Sequence, residues 1–205
     1  MKGVQAVIFD CDGVLFDTAR ANRAYYNRIR SHLNLPKMSD EEFAYAHMHT
    51  VDEVLARFFP DPRDLDTARS FRNTLSYARF FKYMEMEPHL TALLKKLRPR
   101  YKTAIATNRS DTMAPLMAEF ALDGLFDLVV TSLDVERPKP EPDELLRVLA
   151  HFDLSPDRAV YVGDSPLDEM AAKAASILFI AFQNRSLTAD HHIDTLHEME
   201  GLLAL

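Results

Sequence analysis

Short apolar segments alternate with amphipathic segments along most of this chain, and that alternation restricts the fold more than any other feature. Five segments have the length and the β-branched and aromatic residues of buried strands, namely residues 4–9, 102–107, 126–132, 158–164 and 176–182. Helical patterning fills the intervals between the last four and continues to the end of the chain. Parallel strands need such crossover helices, so we predict an α/β fold: a Rossmann-like three-layer core with a central parallel sheet.

The interval between the first two strands has a different character, because residues 18–82 show only helical patterning. Thr50 and Glu53 have the spacing of a capping box, so Thr50 is predicted to begin a helix. The breaks between helices are marked by prolines, namely Pro36, Pro60 and Pro62. The predicted domains are an inserted helical-bundle cap, residues 16–87, and the α/β core, residues 1–15 and 88–205.

The net charge, the length of the apolar runs and the cysteine count limit which partners and which cell compartment we expect. The chain has 205 residues and a formal net charge of −7, a sign that repels the phosphate backbone, so we expect no nucleic acid partner. No run reaches the roughly 18 apolar residues of a membrane span, so we expect no membrane partner. The single cysteine excludes an internal disulfide, and the first residues lack the pattern of a signal peptide, so we expect a cytoplasmic protein. We expect a monomer or a weak dimer.

Polar side chains follow the predicted strands at the points where the strands end. They are Asp10 and Asp12 after the first strand, Thr107, Asn108 and Arg109 after the second, Lys139 in the turn after the third, and Asp164, Ser165 and Asp168 after the fourth. Each has an ordinary explanation when taken alone, such as a helix cap for an aspartate or a solvated surface position for the lysine. The carboxyl ends of parallel strands lie at one edge of a sheet, where ligands collect, so we expect these side chains to meet.

The pair Asp10 and Asp12 is the most informative of these features. Two carboxylates this close repel each other unless they share a proton or a cation. Together with Asp164 they provide the hard oxygen ligands that suit Mg²⁺. Lys139 and the hydroxyl of Thr107 suit a phosphoryl group. The set therefore predicts a site that transfers phosphate by positioning and electrostatics.

Four segments that carry these residues resemble, in order, the four motifs of the haloacid dehalogenase superfamily. The segments are FDCDG, IATNRSD, RPKPEP and VGDSPLD. The helical insertion after the first resembles the cap of relatives such as phosphoglycolate phosphatases and β-phosphoglucomutases. The resemblance covers nearly the whole chain and implies an enzyme, a phosphoric monoester hydrolase with Mg²⁺ as its cofactor.

The resemblance also implies roles for individual residues. Asp10 would be the nucleophile that forms an aspartyl-phosphate, and Asp12 the general acid and base whose backbone carbonyl also binds the metal. Asp10 and Asp164 would supply carboxylate ligands, with Asp168 holding Lys139 or a metal-bound water. The groups that bind the phosphoryl oxygens would be Thr107, Asn108 and Lys139.

Three cap residues are candidates for contact with the rest of the substrate. His47 and His49 lie just ahead of the helix that Thr50 begins, where a histidine could donate to a substrate carboxylate or hydroxyl. Arg20 lies near the junction of cap and core and could reach the site. The alternatives are that the histidines pack or face solvent and that the arginine belongs to a solvated helix face.

We therefore expect a Mg²⁺-dependent phosphatase that acts on a small phosphate monoester, phosphoglycolate-like or sugar-phosphate-like. The alternative within the same fold is a sugar phosphomutase, which must protect its aspartyl-phosphate from water until a second substrate arrives. An alternative from another class is a catalytically silent binding module, since a fold does not fix a function. All the acids and the lysine are present, which favours an enzyme.

Overall fold

The computed structural model describes residue 1 and residues 3–205, and its centre is a parallel β-sheet. The strands in chain order are β1 (Ala6–Phe9), β2 (Phe16–Asp17), β3 (Glu85–Met86), β4 (Lys102–Thr107), β5 (Leu128–Thr131), β6 (Ala159–Gly163), β7 (Leu178–Phe182) and β8 (His191–Ile193). Six of them form one sheet in the order β5-β4-β1-β6-β7-β8, and every neighbouring pair is parallel. The strand β1 is central, so its carboxyl end lies in the middle of the ligand-binding edge.

Helices lie along the chain between these strands. In chain order they are α1 (Ala19–His32), α2 (Asp40–Met48), α3 (Val51–Phe58), α4 (Pro62–Thr74), α5 (Leu90–Leu97), α6 (Met113–Glu119), α7 (Asp143–Phe152), α8 (Pro166–Ala175) and α9 (Met199–Leu203). A 3₁₀ helix, Tyr77–Tyr83, follows α4. Within the described residues, no helix is both long enough and apolar enough to cross a membrane.

The sheet is buried on both faces, as a parallel sheet between two helical layers must be. Val7 and Phe9 of β1 belong to one cluster of buried apolar side chains, while Ala6 and Ile8 belong to another. All four side chains are fully buried, because successive residues of a strand point to opposite faces. The predicted α/β fold with a central parallel sheet is confirmed.

The four helices α1 to α4 and the 3₁₀ helix lie between β2 and β3 in the chain. These two short strands pair antiparallel, with Phe16 opposite Met86, so they hold the two ends of the helical insertion together. Aromatic rings fill its interior, and the ring of Tyr25 packs edge-on against those of Tyr77 and Phe80. That the insertion behaves as a separate cap domain stays a prediction.

The structure contains the predicted capping box, but it also contains short elements that the sequence pattern did not predict. The capping box at Thr50 is present, since its side chain accepts from the Glu53 backbone and Glu53 accepts from the Thr50 backbone. The pattern did not reveal β8, the β2–β3 ribbon or the change from α4 to a 3₁₀ helix. Two or three residues are too few to show a strand period, which is why the strands were missed.

Candidate active site

The chain leaves β1 through a turn that brings two acidic segments together. Asp10 and Asp12 flank the buried Cys11, and Gly13 follows with a φ of 84°, a conformation that suits only glycine. A Cβ atom on Gly13 would lie 2.1 Å from Oδ2 of Asp164. The absence of a side chain at Gly13 therefore lets the ends of β1 and β6 place their carboxylates side by side.

Lys139 lies at the centre of the buried polar cluster, with its side chain only 3% exposed. Its Nζ donates to Oδ1 of Asp10 and to Oδ1 of Asp168, each at 2.8 Å, and contacts the Tyr161 hydroxyl at 2.9 Å. Asn108 fixes the loop that carries the lysine, because its Oδ1 accepts from the Lys139 backbone N–H at 3.0 Å. Asn108 Nδ2 donates back to the Lys139 carbonyl oxygen at 3.0 Å.

The cluster contains three carboxylates, those of Asp10, Asp164 and Asp168, but only one positive charge, that of Lys139. Burial raises the pKa of Asp10 to about 7, and the charge of Lys139 only partly opposes this. Burial also raises the pKa of Asp164, and the neighbouring charges of Asp168 and Asp10 raise it further. Burial would raise the pKa of Asp168 as well, but the charge and hydrogen bond of Lys139 lower it below its usual value. Lys139 thus divides one charge between Asp10 and Asp168, and among the described residues no cation pairs with Asp164.

The donor set fits a hard divalent cation. Asp10, Asp164 and Asp168 each offer a carboxylate oxygen, and these atoms lie within 4.8 Å of one another. Both oxygens of Asp168 already accept hydrogen bonds, Oδ1 from Lys139 and Tyr161 and Oδ2 from Ser165. Among the described residues, none hydrogen bonds to Oδ2 of Asp10 or to the carboxylate of Asp164. These two groups are the free ligands of the set.

Asp12 is held by an arginine that follows β4. Nε and Nη2 of Arg109 donate to Oδ2 and Oδ1 of Asp12 at 3.0 and 2.5 Å, which makes a two-pronged ion pair. Burial would raise the pKa of Asp12, but the charge and hydrogen bonds of Arg109 outweigh it and lower the pKa to about 2. Asp12 is therefore ionised at neutral pH in this arrangement, the form that accepts a proton.

Thr107 ends β4 beside this pair. Its side chain is buried, and its Oγ1 accepts from the Arg109 backbone N–H at 3.2 Å. The hydroxyl proton is therefore available to a ligand at the mouth of the site. Thr107, Asp10 and Lys139 all line one cavity, as the sequence predicted for residues at neighbouring strand ends.

The helical insertion closes this cavity from the other side. Nδ1 of His47 lies 3.1 Å from Nδ2 of Asn22, and that same amide nitrogen lies 3.3 Å from Oδ1 of Asp12. His49 also lines the cavity, with its ring stacked on Tyr45 at 3.7 Å between centroids. Arg20 is mostly exposed, lies 3.8 Å from a carboxylate oxygen of Glu85 and does not line the cavity. His47 belongs to the last turn of α2, just ahead of the helix that begins after Thr50.

Several cavity residues were not among the predicted site residues. Among them are Asn22, Arg72, Tyr77 and Arg109. The sequence placed Arg109 with Thr107 and Asn108 at one strand end but assigned it no role. The other three lie in the helical insertion, and their approach to the strand ends depends on how the insertion packs. The cavity is small, with a volume of about 80 Å³, and it is partly open to solvent.

Comparison with known proteins shows the family of this chain. The family described as haloacid dehalogenase-like hydrolase matches residues 7–182. The chain is 31% identical over 182 residues to a protein of Caldanaerobacter subterraneus subsp. tengcongensis named as a pyrophosphatase, PpaX, covering 87% of this chain and 81% of that one. It is 28% identical over 186 residues to a phosphoglycolate phosphatase of Photorhabdus laumondii subsp. laumondii, covering 85% of this chain and 78% of that one.

Solved structures agree with the fold. A haloacid dehalogenase-superfamily hydrolase of subfamily IA from Geobacter sulfurreducens has a TM-score of 0.80 at 37% identity, covering 98% of this chain and 97% of that one. β-Phosphoglucomutase from Clostridium difficile has a TM-score of 0.86 at 15% identity, covering 98% of this chain and 95% of that one. At the lower identity the likeness concerns the fold alone. Both chains are covered almost from end to end, so the likeness includes the helical insertion.

Proposed function

The chain belongs to the haloacid dehalogenase-like hydrolases, and from that membership we propose that it is a Mg²⁺-dependent phosphatase acting on a small phosphate monoester through an aspartyl-phosphate. The observation that carries the proposal is the state of Asp10. Its Oδ1 is fixed by Lys139 at 2.8 Å, its Oδ2 has no hydrogen-bond partner among the described residues, and Asp10 lines the cavity together with Asp164. A carboxylate held in this way is oriented for attack on phosphorus.

The proposed reaction has two steps that use the same residues. Oδ2 of Asp10 attacks phosphorus while the bond from phosphorus to the leaving oxygen breaks. Asp12, after taking up a proton from solvent, gives that proton to the leaving oxygen. Water then attacks the phosphorus of the aspartyl-phosphate, Asp12 takes a proton from it, and inorganic phosphate leaves Asp10. The Thr107 hydroxyl and the Lys139 ammonium group bind the phosphoryl oxygens in both steps.

We assign the metal to the free carboxylates of the cluster. Asp10 and Asp164 would hold the ion, together with the backbone carbonyl of Asp12, and Asp168 would orient Lys139 beside it. When bound, Mg²⁺ supplies the positive charge that lets the nucleophile approach an anionic phosphate. The raised pKa values of Asp10 and Asp164 support this assignment, because a nearby cation would stabilise both carboxylates in their ionised form.

The far side of the cavity suggests the substrate class. Arg72 of α4 and His47 of α2 line it, and Nε of Arg72 is buried without a hydrogen-bond partner among the described residues. An unpaired buried donor favours an acceptor on the ligand. We therefore propose a phosphate ester with a second anionic or hydroxyl group, which includes phosphoglycolate-like and sugar-phosphate-like molecules. A relative named phosphoglycolate phosphatase supports this range.

A panel of phosphate esters assayed with Mg²⁺ and with EDTA tests the proposal. We expect phosphate release that requires the metal and that disappears in Asp10→Asn, which keeps the shape of the side chain but loses the nucleophile. Asp123→Asn, an exposed aspartate away from the cavity, is the matched control and should match the wild type. Metal-independent activity would refute the cofactor, and an active Asp10→Asn would refute the mechanism. Turnover that needs a sugar bisphosphate would indicate a phosphomutase instead.

A further inference from the structure

Most of the N–H groups of Arg109 already donate to partners within the protein, so few remain to bind a substrate. Its Nε and Nη2 bind both oxygens of Asp12, and its Nη1 donates to Oγ1 of Thr112 at 3.0 Å. Nη2 also lies 3.5 Å from the Tyr77 hydroxyl, and the guanidinium carbon lies 4.9 Å from the Tyr77 ring centre. Four of the five N–H groups thus have protein partners, and the side chain is only 4% exposed.

This saturation distinguishes Arg109 from the other arginine of the cavity. The Nε of Arg72 is buried and has no hydrogen-bond partner among the described residues, so it is free to donate to a ligand. Arg109 has one N–H left, and its planar fork is already matched to the Asp12 carboxylate. Thr112 and Tyr77 hold the fork from the other sides. This geometry therefore favours a role for Arg109 in orienting another side chain over a role in binding the substrate.

We propose that Arg109 is the positioning residue for the acid and base of the reaction: its guanidinium fork fixes the plane of the Asp12 carboxylate so that one oxygen faces the leaving group. This inference rests on the proposed function. A carboxylate on a single CH₂ group can rotate about two bonds, and two parallel hydrogen bonds remove both freedoms. When one oxygen of Asp12 takes up the proton that it donates, that oxygen gives up its hydrogen bond from Arg109. The other oxygen keeps its own and holds the carboxyl group in place.

The fork, and not the charge alone, is what this role requires. Lysine keeps the positive charge but offers a single point donor, so it cannot fix the carboxylate plane. Arg109→Lys should therefore impair proton transfer to the leaving oxygen while the charge opposite Asp12 is retained. Proton donation matters for alkyl phosphates, whose leaving oxygen is strongly basic. It matters little for 4-nitrophenyl phosphate, whose leaving group departs without a proton.

The experiment compares these two esters under single-turnover conditions with Mg²⁺, measuring release of the leaving group. For Arg109→Lys we expect a loss of up to about 10²-fold with an alkyl phosphate and less than about 3-fold with 4-nitrophenyl phosphate. The double variant Asp12→Asn/Arg109→Lys should be no slower than Asp12→Asn alone, because both act through one proton transfer. The matched control is Arg137→Lys, which alters a similar fork to Asp143 on an exposed surface and should leave both rates unchanged.

Three outcomes would overturn the inference. Equal losses with both esters would mean a general electrostatic role, and a raised KM with unchanged kcat would mean that Arg109 grips the substrate. Additive losses of rate in the double variant would mean that Arg109 and Asp12 act in different steps and not through one proton transfer. Should Arg109→Lys fail to fold, Thr112→Val loosens the fork without changing charge, and a loss not confined to the alkyl ester would refute the role. A wild type without phosphatase activity, or an active Asp10→Asn, would instead refute the proposed function.

Discussion

Replacing Glu144 with glutamine should make the protein more stable than the wild type at neutral pH, although the change touches neither the cavity nor the ion pairs. Glu144 lies in the first turn of α7 with no exposed surface, and neither carboxyl oxygen has a hydrogen-bond partner among the described residues. Burial raises the pKa of Glu144 to about 8, although the charge of Lys139 opposes the shift. The folded protein therefore holds Glu144 as the neutral acid, for which glutamine is a close substitute.

The size of the effect follows from proton linkage. The ordinary pKa of the glutamate is 4.5, so between that pH and about 8 the folded state keeps a proton that the unfolded state releases. A group with a raised acid pKa stabilises the fold least at high pH, so the wild type loses stability as the pH rises through this window. From about pH 5 to about pH 7.5 the loss is about 3 kcal/mol, and Glu144→Gln should not show it. In a chain of this length, that corresponds to about 6–12 °C in Tm.

Urea denaturation followed by circular dichroism across this pH range measures the difference directly. EDTA should be present throughout, so that metal binding does not vary with pH. The free energy of unfolding of Glu144→Gln should rise relative to the wild type as the pH increases. The matched control is Glu136→Gln, because Glu136 is exposed and its substitution should give a constant difference. A constant difference for Glu144→Gln as well would refute the neutral buried acid, and so would a fall with rising pH.

Three further predictions concern the cavity. Asp12→Asn should slow alkyl phosphates by about 10²–10⁴-fold and 4-nitrophenyl phosphate much less, and equal losses in single-turnover assays would contradict the acid role. Lys139→Met should abolish turnover and lower the free energy of unfolding by about 3–5 kcal/mol in urea, because two buried carboxylates lose their partner; unchanged stability would contradict the buried ion pairs. His47→Ala and Arg72→Gln should lower kcat/KM more for a substrate with a second anionic group than for 4-nitrophenyl phosphate. Equal effects on both substrates would mean that the helical insertion does not select the substrate.

Much of the core could be predicted because its signals are local. A short apolar run and a helix of period 3.6 are each visible within one segment of the chain, and their alternation specifies a parallel sheet. The sheet then brings the strand ends together without further information. This is why the meeting of Asp10, Thr107, Lys139 and Asp164 at one edge could be expected from their order alone.

The contacts made by side chains across the insertion could not be predicted in this way. Arg109 and Asp12 are 97 residues apart, and their pairing depends on the rotamers that the surrounding packing permits. Arg20 illustrates the same limit, because its place in the sequence near the junction does not tell which way its helix face turns. It turns outward, toward Glu85 and solvent.

Sequence alone thus determined the layer architecture and the set of acids, the threonine and the lysine at the sheet edge, because short-range patterns and strand order suffice for both. Only the tertiary structure decided how those groups are used. It joined Asp12 to Arg109, placed Asn22 between Asp12 and His47, and buried Glu144 without a partner. Such pairings depend on the approach of segments far apart in the chain, and no local period records that approach.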